Sequence, residues 1–396
     1  MARDHLTDAT LRTPSQRERQ TTIFEWMEGL ARRAETGDPT GPALGVFWAT
    51  LALMGVGLLV QAAHAATVAA PGKLVDELAF QSWFRLMGLG VLLVAARLGP
   101  VGVRRFVPAL MVLSVILLVA VFLPLIGDPR NGSRRWIQVL HYTFQPSELA
   151  RVAVVLWVAD RCVRLGPLVR DTRRGILPML TLVLTCFALI AAEPDVGGSI
   201  LLLVCALATM WVGGARATMV FGSLGTVLGG GLLVAAAFLP YVQSRIDTFL
   251  GHKTNHQVEA SELAMDRGDV LGVGLGQGTA RNEAVPYLDS DYVFAQVGEE
   301  LGLAGMLLVL GLYAYFLVCA LRLVLSIPDR YPALAAFGLL VSVSLQAMLH
   351  LQIVSGLAPP KGMTLPLISD GGTSLLVTCL AVGLALGAVR RHPRSG

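Results

Sequence analysis

The ionisable residues that could do chemistry in this chain fall in a handful of short stretches. Asp289-Ser290-Asp291 places two carboxylates two residues apart where a polar segment meets an apolar run. In an extended segment they share a face; in a helix they do not. A carboxylate beside an apolar wall has its pKa raised by desolvation, which suits a general base or acid. Capping of the following helix by Asp289, Ser290 or Asp291 accounts for the same pattern. Glu299-Glu300 lies inside the apolar run, where an ionisable group faces a cavity or a partner; pairing with an Arg or Lys of another helix is the expected role. Glu193-Pro194-Asp195 joins two apolar runs. The proline stops a continuous helix, and Asp195 either caps the second run or contacts a cation. Gln145-Pro146-Ser147-Glu148-Leu149-Ala150-Arg151 opens another run. Its proline and Glu148 suit a first helical turn. Arg151, at membrane depth, needs a counter-ion, for which Asp195 or Asp291 are candidates. Lys361 sits in a Gly/Pro-rich segment and could meet a phosphate or face water.

The elements that must hold these residues are membrane helices. Of the 396 residues, 54% are hydrophobic and 15% charged, and the mean hydropathy is +0.65. That excludes an ordinary soluble globule. Apolar runs long enough to cross a bilayer recur ten times, at about 43–66, 78–98, 103–126, 146–165, 174–192, 195–213, 217–240, 292–325, 331–353 and 373–390. Residues 1–41 form a polar N-terminal tail, 42–391 the membrane domain and 392–396 a short C-terminal tail. A large polar loop at about 241–290 connects helices 7 and 8, and Gly356–Thr373 reads as a re-entrant segment lining a cavity. The alternating Gly272, Gly274, Gly276 and Gly278 suit close backbone packing better than a phosphate cradle, because no strand-to-helix context surrounds them.

Basic residues orient the bundle. The N-terminal tail, Arg97/Arg104/Arg105, the run from Arg161 to Arg174, Arg216, Arg322/Arg330 and Arg390/Arg391/Arg394 fall on one side. By the positive-inside rule that side is cytoplasmic, with both termini. The segments 127–145, 241–290 and 355–372 are then outside. Arg130, Arg134 and Arg135 break the rule there and are candidates for an anionic ligand, with solvated interfacial arginines as the alternative. The net charge of +4 calls for no nucleic-acid partner. Cys162, Cys186, Cys205, Cys319 and Cys379 form no CxxC or Cys/His cluster and read as small packing residues.

Five stretches, taken in order, resemble motifs of the SEDS family (shape, elongation, division and sporulation), also known as the FtsW/RodA type. Asn131–Ile137 with Gln145–Leu149 is similar to NGxRRWI and QPSEL, and Glu193-Pro194-Asp195 to EPD. Pro286–Asp291 resembles LPExHTD, followed by a family-like Tyr292-Val293-Phe294 and Gly298-Glu299-Glu300-Leu301-Gly302. Lys361–Ser369 with Gly371–Ser374 resembles KGLTLPFISYGGSS, in a variant nearer the division branch, FtsW, than the elongation branch, RodA. The resemblance implies an all-α, ten-helix SEDS bundle in the bacterial inner membrane, at the division septum if the division branch applies. It implies polymerisation of lipid II, a disaccharide-pentapeptide on undecaprenyl pyrophosphate, for division or cell shape. A class B penicillin-binding protein transpeptidase and divisome or elongasome membrane proteins are the implied partners.

Residue by residue, the resemblance makes Asp291 the catalytic carboxylate, deprotonating the acceptor's sugar hydroxyl. It makes Arg134, Arg135, Arg245 and Lys361 candidates for the lipid pyrophosphate. Gln145, Arg151, Asp195, Gln257, Glu300 and Ser369 complete the expected substrate-binding set. A divalent cation, Mg or Mn, is a possible helper, with Asp289 and Asp291 as its ligands. The sequence departs from the family where Asp289 replaces the histidine of HTD, Tyr287 the glutamate of LPE, Arg151 a lysine, Asp370 the tyrosine before the double glycine and His350 an asparagine. A lipid-linked precursor flippase, and a non-catalytic scaffold that activates a transpeptidase, are the rival readings.

Overall fold

The computed structural model describes residues 39–68, 74–124, 126–130, 133–139, 142–231, 240–249, 256–279 and 290–390. The tails, apart from residues 39–41, lie outside the described residues, as do Pro286–Asp289. The architecture is an all-α, polytopic membrane bundle. Among the described residues its α-helices are α1 (Thr40–Val68), α2 (Leu74–Val103), α3 (Val107–Ala120), α4 (Pro146–Leu165), α5 (Leu177–Ala192), α6 (Val196–Val212) and α7 (Ala217–Gly225). After these come α8 (Pro240–Phe249), α9 (His256–Gly268), α10 (Val293–Ser326), α11 (Arg330–Val354) and α12 (Gly372–Gly387). Among the described residues five stretches are long and apolar enough to cross a membrane, one of which, Leu74–Ala120, contains two helices. α6, α12 and the piece Ala217–Gly230 are shorter apolar helices. α4 is different. Its apolar run is interrupted by Glu148, Arg151 and Asp160, all buried, and it packs at the centre against α3, α6 and α11.

Helix breaks occur where the sequence supplies glycine. α2 bends at Gly99 (φ 60°), just before Pro100, and a Cβ there would come 2.7 Å from the Gly387 carbonyl oxygen. The two small residues let α2 and α12 cross backbone against backbone, a common device in membranes. α10 breaks at Gly302 (φ 66°). The glycine-rich segment docks into that break: Val273 and Gly274 N–H donate to the Glu299 and Glu300 carbonyls, and Leu303 and Ala304 N–H donate to Asp269 and Val270. Gly272 has φ 79°, and a Cβ on it would overlap the Glu300 carbonyl. The glycine run therefore serves close packing.

The polar segment at 127–145 folds as a three-stranded antiparallel sheet, β1 (Gly127–Arg130), β2 (Ser133–Val139) and β3 (Tyr142–Phe144). Ile137 pairs with both Gly127 and Phe144. Pairing satisfies backbone groups that would otherwise be unmatched beside the bilayer. Thr373 Oγ1 donates to the Thr143 carbonyl at 2.6 Å, fastening the sheet to the start of α12. The large polar connection is likewise structured in its described parts, which contain α8 and α9.

Candidate functional site

The re-entrant stretch between α11 and α12 organises the site. Residues 357–371 form no regular helix, as the prolines demand. Side chains from within the bundle tie the stretch down. His350 Nδ1 meets the Met363 carbonyl at 2.6 Å, Gln346 Nε2 donates to the Thr364 carbonyl and Oγ1, each at 3.2 Å, and the Tyr313 hydroxyl donates to Pro366. Leu367 is held at φ 70°, in the left-handed region that a branched residue seldom occupies. At the end of the stretch, Ser369 Oγ accepts from Leu365 N–H and donates to the Ser290 carbonyl at 2.6 Å. The residue before Asp291 is thus pinned to the re-entrant stretch.

Asp291 is half-buried at the mouth of α10. Its carboxylate lies against Gly362: a Cβ at 362 would stand 2.5 Å from Asp291 Oδ2. Lys361, the preceding residue, turns to the other side. Its Nζ lies 3.3 Å from Asp195 Oδ1, and it fills the space above Gly197, where any Cβ would overlap the ammonium. Asp195 also accepts from Gly198 N–H at 2.9 Å and from Gln145 Nε2 at 3.5 Å. Capping and contact with a cation were alternatives for Asp195; it does both. From the sheet, Arg135 Nε donates to the Glu193 carbonyl at 3.1 Å, and its Nη2 donates to that of Pro194. The turn between α5 and α6 is thereby clasped from two sides.

The electrostatics of that turn are uneven. Burial alone would raise the Asp195 carboxyl, but Lys361, Arg135 and the Gly198 N–H outweigh it and hold it below the usual carboxylate range. Glu193 is 1% exposed, and neither carboxyl oxygen has a hydrogen-bond partner among the described residues. Burial, reinforced by Asp195 and opposed by Arg135, pushes Glu193 up to about 8. It is therefore mostly protonated at neutral pH. An unfolded glutamate titrates near 4.5. Between those values the folded state binds more protons at this group, so its contribution to stability falls as pH rises from about 4.5 to 8 and is level above. Glu193→Gln should flatten that slope and make the protein more stable than the parent at pH 8, read as thermal unfolding in detergent at several pH values. An unchanged slope would mean that Glu193 is already ionised in the fold.

The expected site residues divide cleanly. Arg135, Gln145 and Lys361 gather on the turn that carries Asp195, and Ser369 holds the residue before Asp291. Arg134 is exposed on β2, and Gln257 is half-buried on α9. Arg245 lies on α8, but its side chain is outside the described residues, as is Asp289. Arg151 does not reach Asp195 or Asp291. Its Nη2 is 2.5 Å from Glu148 Oε2 and 2.6 Å from Gln346 Oε1, deep in the bundle. Glu299 and Glu300 hold the glycine segment rather than the Asp291 cluster: Glu299 accepts from Thr279 N–H at 2.7 Å, and Glu300 from Gly276 N–H and Gln296. Both carboxylates thus bind backbone amides of the glycine segment. No group of three or more His, Cys, Asp or Glu side chains gathers as metal ligands among the described residues. Of the two expected Mg or Mn ligands, Asp289 lies outside the described residues. Sequence reasoning passed over Gln81 and Gln346, although a polar residue inside an apolar span is itself a signal.

Comparison with known proteins agrees with this architecture. The chain is 34% identical over 364 residues to the probable peptidoglycan glycosyltransferase FtsW of Thioalkalivibrio sulfidiphilus, covering 89% of this chain and 90% of that protein. It is 33% identical over 365 residues to the stage V sporulation protein E of Bacillus subtilis, covering 90% and 99%. A solved peptidoglycan synthase complex, described as coordinating polymerization and crosslinking, contains a chain 26% identical with a TM-score of 0.71, covering 87% of this chain and 97% of that one. The rod shape determining protein RodA of Thermus thermophilus shares the fold, at a TM-score of 0.65 and 24% identity over 87% of this chain and 95% of its own. The model of the FtsW, RodA and SpoVE family, described as cell cycle protein, matches residues 43–394, and the chain belongs to that family.

Proposed function

We propose that this chain is a peptidoglycan glycosyltransferase that polymerises lipid II, with Asp291 as the general base. The observation that carries the reading is the seating of the Asp291 carboxylate against Gly362, next to the Lys361–Asp195 pair. Membership of the family and the names of its relatives support the reaction class. Asp291 takes the proton of the acceptor's sugar hydroxyl as that oxygen attacks the donor's anomeric carbon. The bond from that carbon to the pyrophosphate breaks, and the lipid pyrophosphate leaves with the electron pair. Arg135 and Lys361 stabilise the charge that develops on it, because fixed cations beside a half-buried site act more strongly than they would in water. Asp195, itself bonded by Gln145, holds Lys361 in place until an anionic substrate draws it away. The site faces the outside of the inner membrane, with both termini cytoplasmic, and the protein acts at the septum or along the growing wall. A class B penicillin-binding protein crosslinks the glycan product.

The test is polymerisation of labelled lipid II by the purified chain in nanodiscs, with and without its cognate transpeptidase. Glycan strands are expected from the parent. Lys361→Met should raise KM by about tenfold or more, since it removes a charge that contacts pyrophosphate, and should also lower thermal stability, since the buried Asp195 loses its ion-pair partner. No glycan from the parent even with its partner present would sink the enzymatic reading in favour of a scaffold or transporter.

A further inference from the structure

The re-entrant stretch is held from a second direction that the proposed chemistry does not use. Gln81 and Arg85, one turn apart on α2, are both buried inside an apolar helix. Gln81 Nε2 donates to Asp370 Oδ2 at 2.7 Å. Arg85 Nη1 donates to Gln81 Oε1 at 3.0 Å and to the Gln81 carbonyl at 3.2 Å. Its Nη2 reaches the Ile368 carbonyl at 3.5 Å and its Nε that of Met54 at 3.4 Å. The guanidinium is thus surrounded mainly by carbonyl oxygens, with the Asp370 carboxylate as its acidic neighbour across Gln81. A buried cation with few anionic partners is costly unless its geometry does something else for the fold.

What it holds is the segment from Ile368 to Asp370. Ser369, in the middle of that segment, is the residue that donates to the Ser290 carbonyl, one residue before Asp291. The segment cannot shift away from α2 without drawing Ser369, and with it Ser290, along. On the other side, Gly57 of α1 admits the Ile368 backbone so closely that a Cβ there would stand 2.7 Å from Ile368 Cα. α12 begins at once, pressed against α2 where a Cβ at Gly372 would come 2.6 Å from Phe84 Cε1. Asp370 stands where the motif of the resembled family carries a tyrosine, so a carboxylate is the local choice of this chain.

We propose that Gln81, Arg85 and Asp370 form a latch that positions Asp291 through Ser369 and Ser290. They are positioning residues, not catalytic ones. Their effect on turnover rests on Asp291 being the base; their effect on the loop does not. The latch acts by keeping the carboxylate at the distance and angle the attacking hydroxyl requires, where a misplacement of about 1 Å can cost on the order of a hundredfold in rate.

The experiment compares Asp370→Ala, Asp370→Asn and Gln81→Ala/Asp370→Ala with the parent in nanodiscs. It reads lipid II polymerisation kinetics and amide hydrogen exchange over residues 290–294 and 362–369. Asp370→Ala should lower kcat by roughly tenfold with KM within about twofold, since it removes positioning and not substrate contact. It should also speed exchange in both segments while leaving α6 unchanged. Asp370→Asn keeps an oxygen for Gln81 and should recover most of kcat and of the protection. The double variant should be worse than Asp370→Ala, because Gln81 also accepts from Arg85 Nη1 and its loss releases the third member of the latch. Unchanged exchange in both segments for Asp370→Ala overturns the latch, and so does equal loss in the Ala and Asn variants. Faster exchange in α6 as well would show general unfolding and also overturn it. If the parent makes no glycan, the assignment of function fails by itself and the exchange pattern still decides the latch.

Discussion

Asp291→Asn should abolish glycan polymerisation, lowering turnover by about a thousandfold, within the range general-base removal commonly costs. The substitution is nearly isosteric. It leaves the Ser369 hydroxyl on the Ser290 carbonyl and the packing against Gly362 intact. It removes only the ability to accept a proton. Substrate binding should survive, because Arg135 and Lys361 are unaltered, so kcat falls while KM moves little. The measurement is single-turnover polymerisation of labelled lipid II, with thermal unfolding of the same preparation as a control for folding. A variant that unfolds like the parent and still polymerises within tenfold of it would remove Asp291 from the role of base. Attention would then pass to Asp195 and Glu193, the acids of the facing turn. Glu300 would be a poor substitute, since Gly276 N–H and Gln296 already occupy both of its oxygens.

The second large effect concerns the fold. Arg151→Leu should destabilise the protein by about 3–5 kcal/mol, the usual consequence of leaving a buried charge without its partner. Arg151 and Glu148 are 6% and 8% exposed, and their contact is 2.5 Å long. Without the guanidinium, Glu148 must either ionise alone in the bundle or take up a proton. The loss extends further. Gln346 loses the donor to its Oε1 while its Nε2 still supports Thr364, which meets the Ser374 hydroxyl at the start of α12. Glu148→Leu added to Arg151→Leu should recover much of the loss, because the pair is then replaced by apolar groups. Denaturant or thermal unfolding in detergent reads both variants. A single Arg151→Leu variant as stable as the parent would mean that the pair is solvated in the working protein.

The same pair shows how unevenly the site was legible. Glu148 and Arg151 are three residues apart, a spacing that brings side chains together on one helix face. That signal was present, yet the expected counter-ions were sought on other segments. The paired Glu299 and Glu300 mark a second limit. Their burial in an apolar run announces satisfied partners, but not that these include the backbone of a glycine segment about 20 residues upstream. The sheet at 127–144 is a third. Its strands are short, and the polar run they occupy has the composition of a loop; only the fastening of Thr373 and Arg135 shows what the pairing accomplishes.

Hydropathy by itself determined the membrane bundle, because hydrocarbon accepts little but long apolar helices with their backbone groups satisfied internally. Proline and glycine determined where the chain must turn: at Pro194, at the Gly99–Pro100 bend and along the re-entrant stretch. The order of motifs determined the family. Only the tertiary structure decided the partners. Periodicity tells which face of its own helix a residue occupies, but not how that helix is rotated or how deep it sits beside another. Hence Lys361 meets Asp195 and Gly197, Arg135 takes the carbonyls of Glu193 and Pro194, and Gln81 finds Asp370. Each of these contacts joins residues more than fifty positions apart, and each depends on close packing of helices whose relative placement no local pattern records.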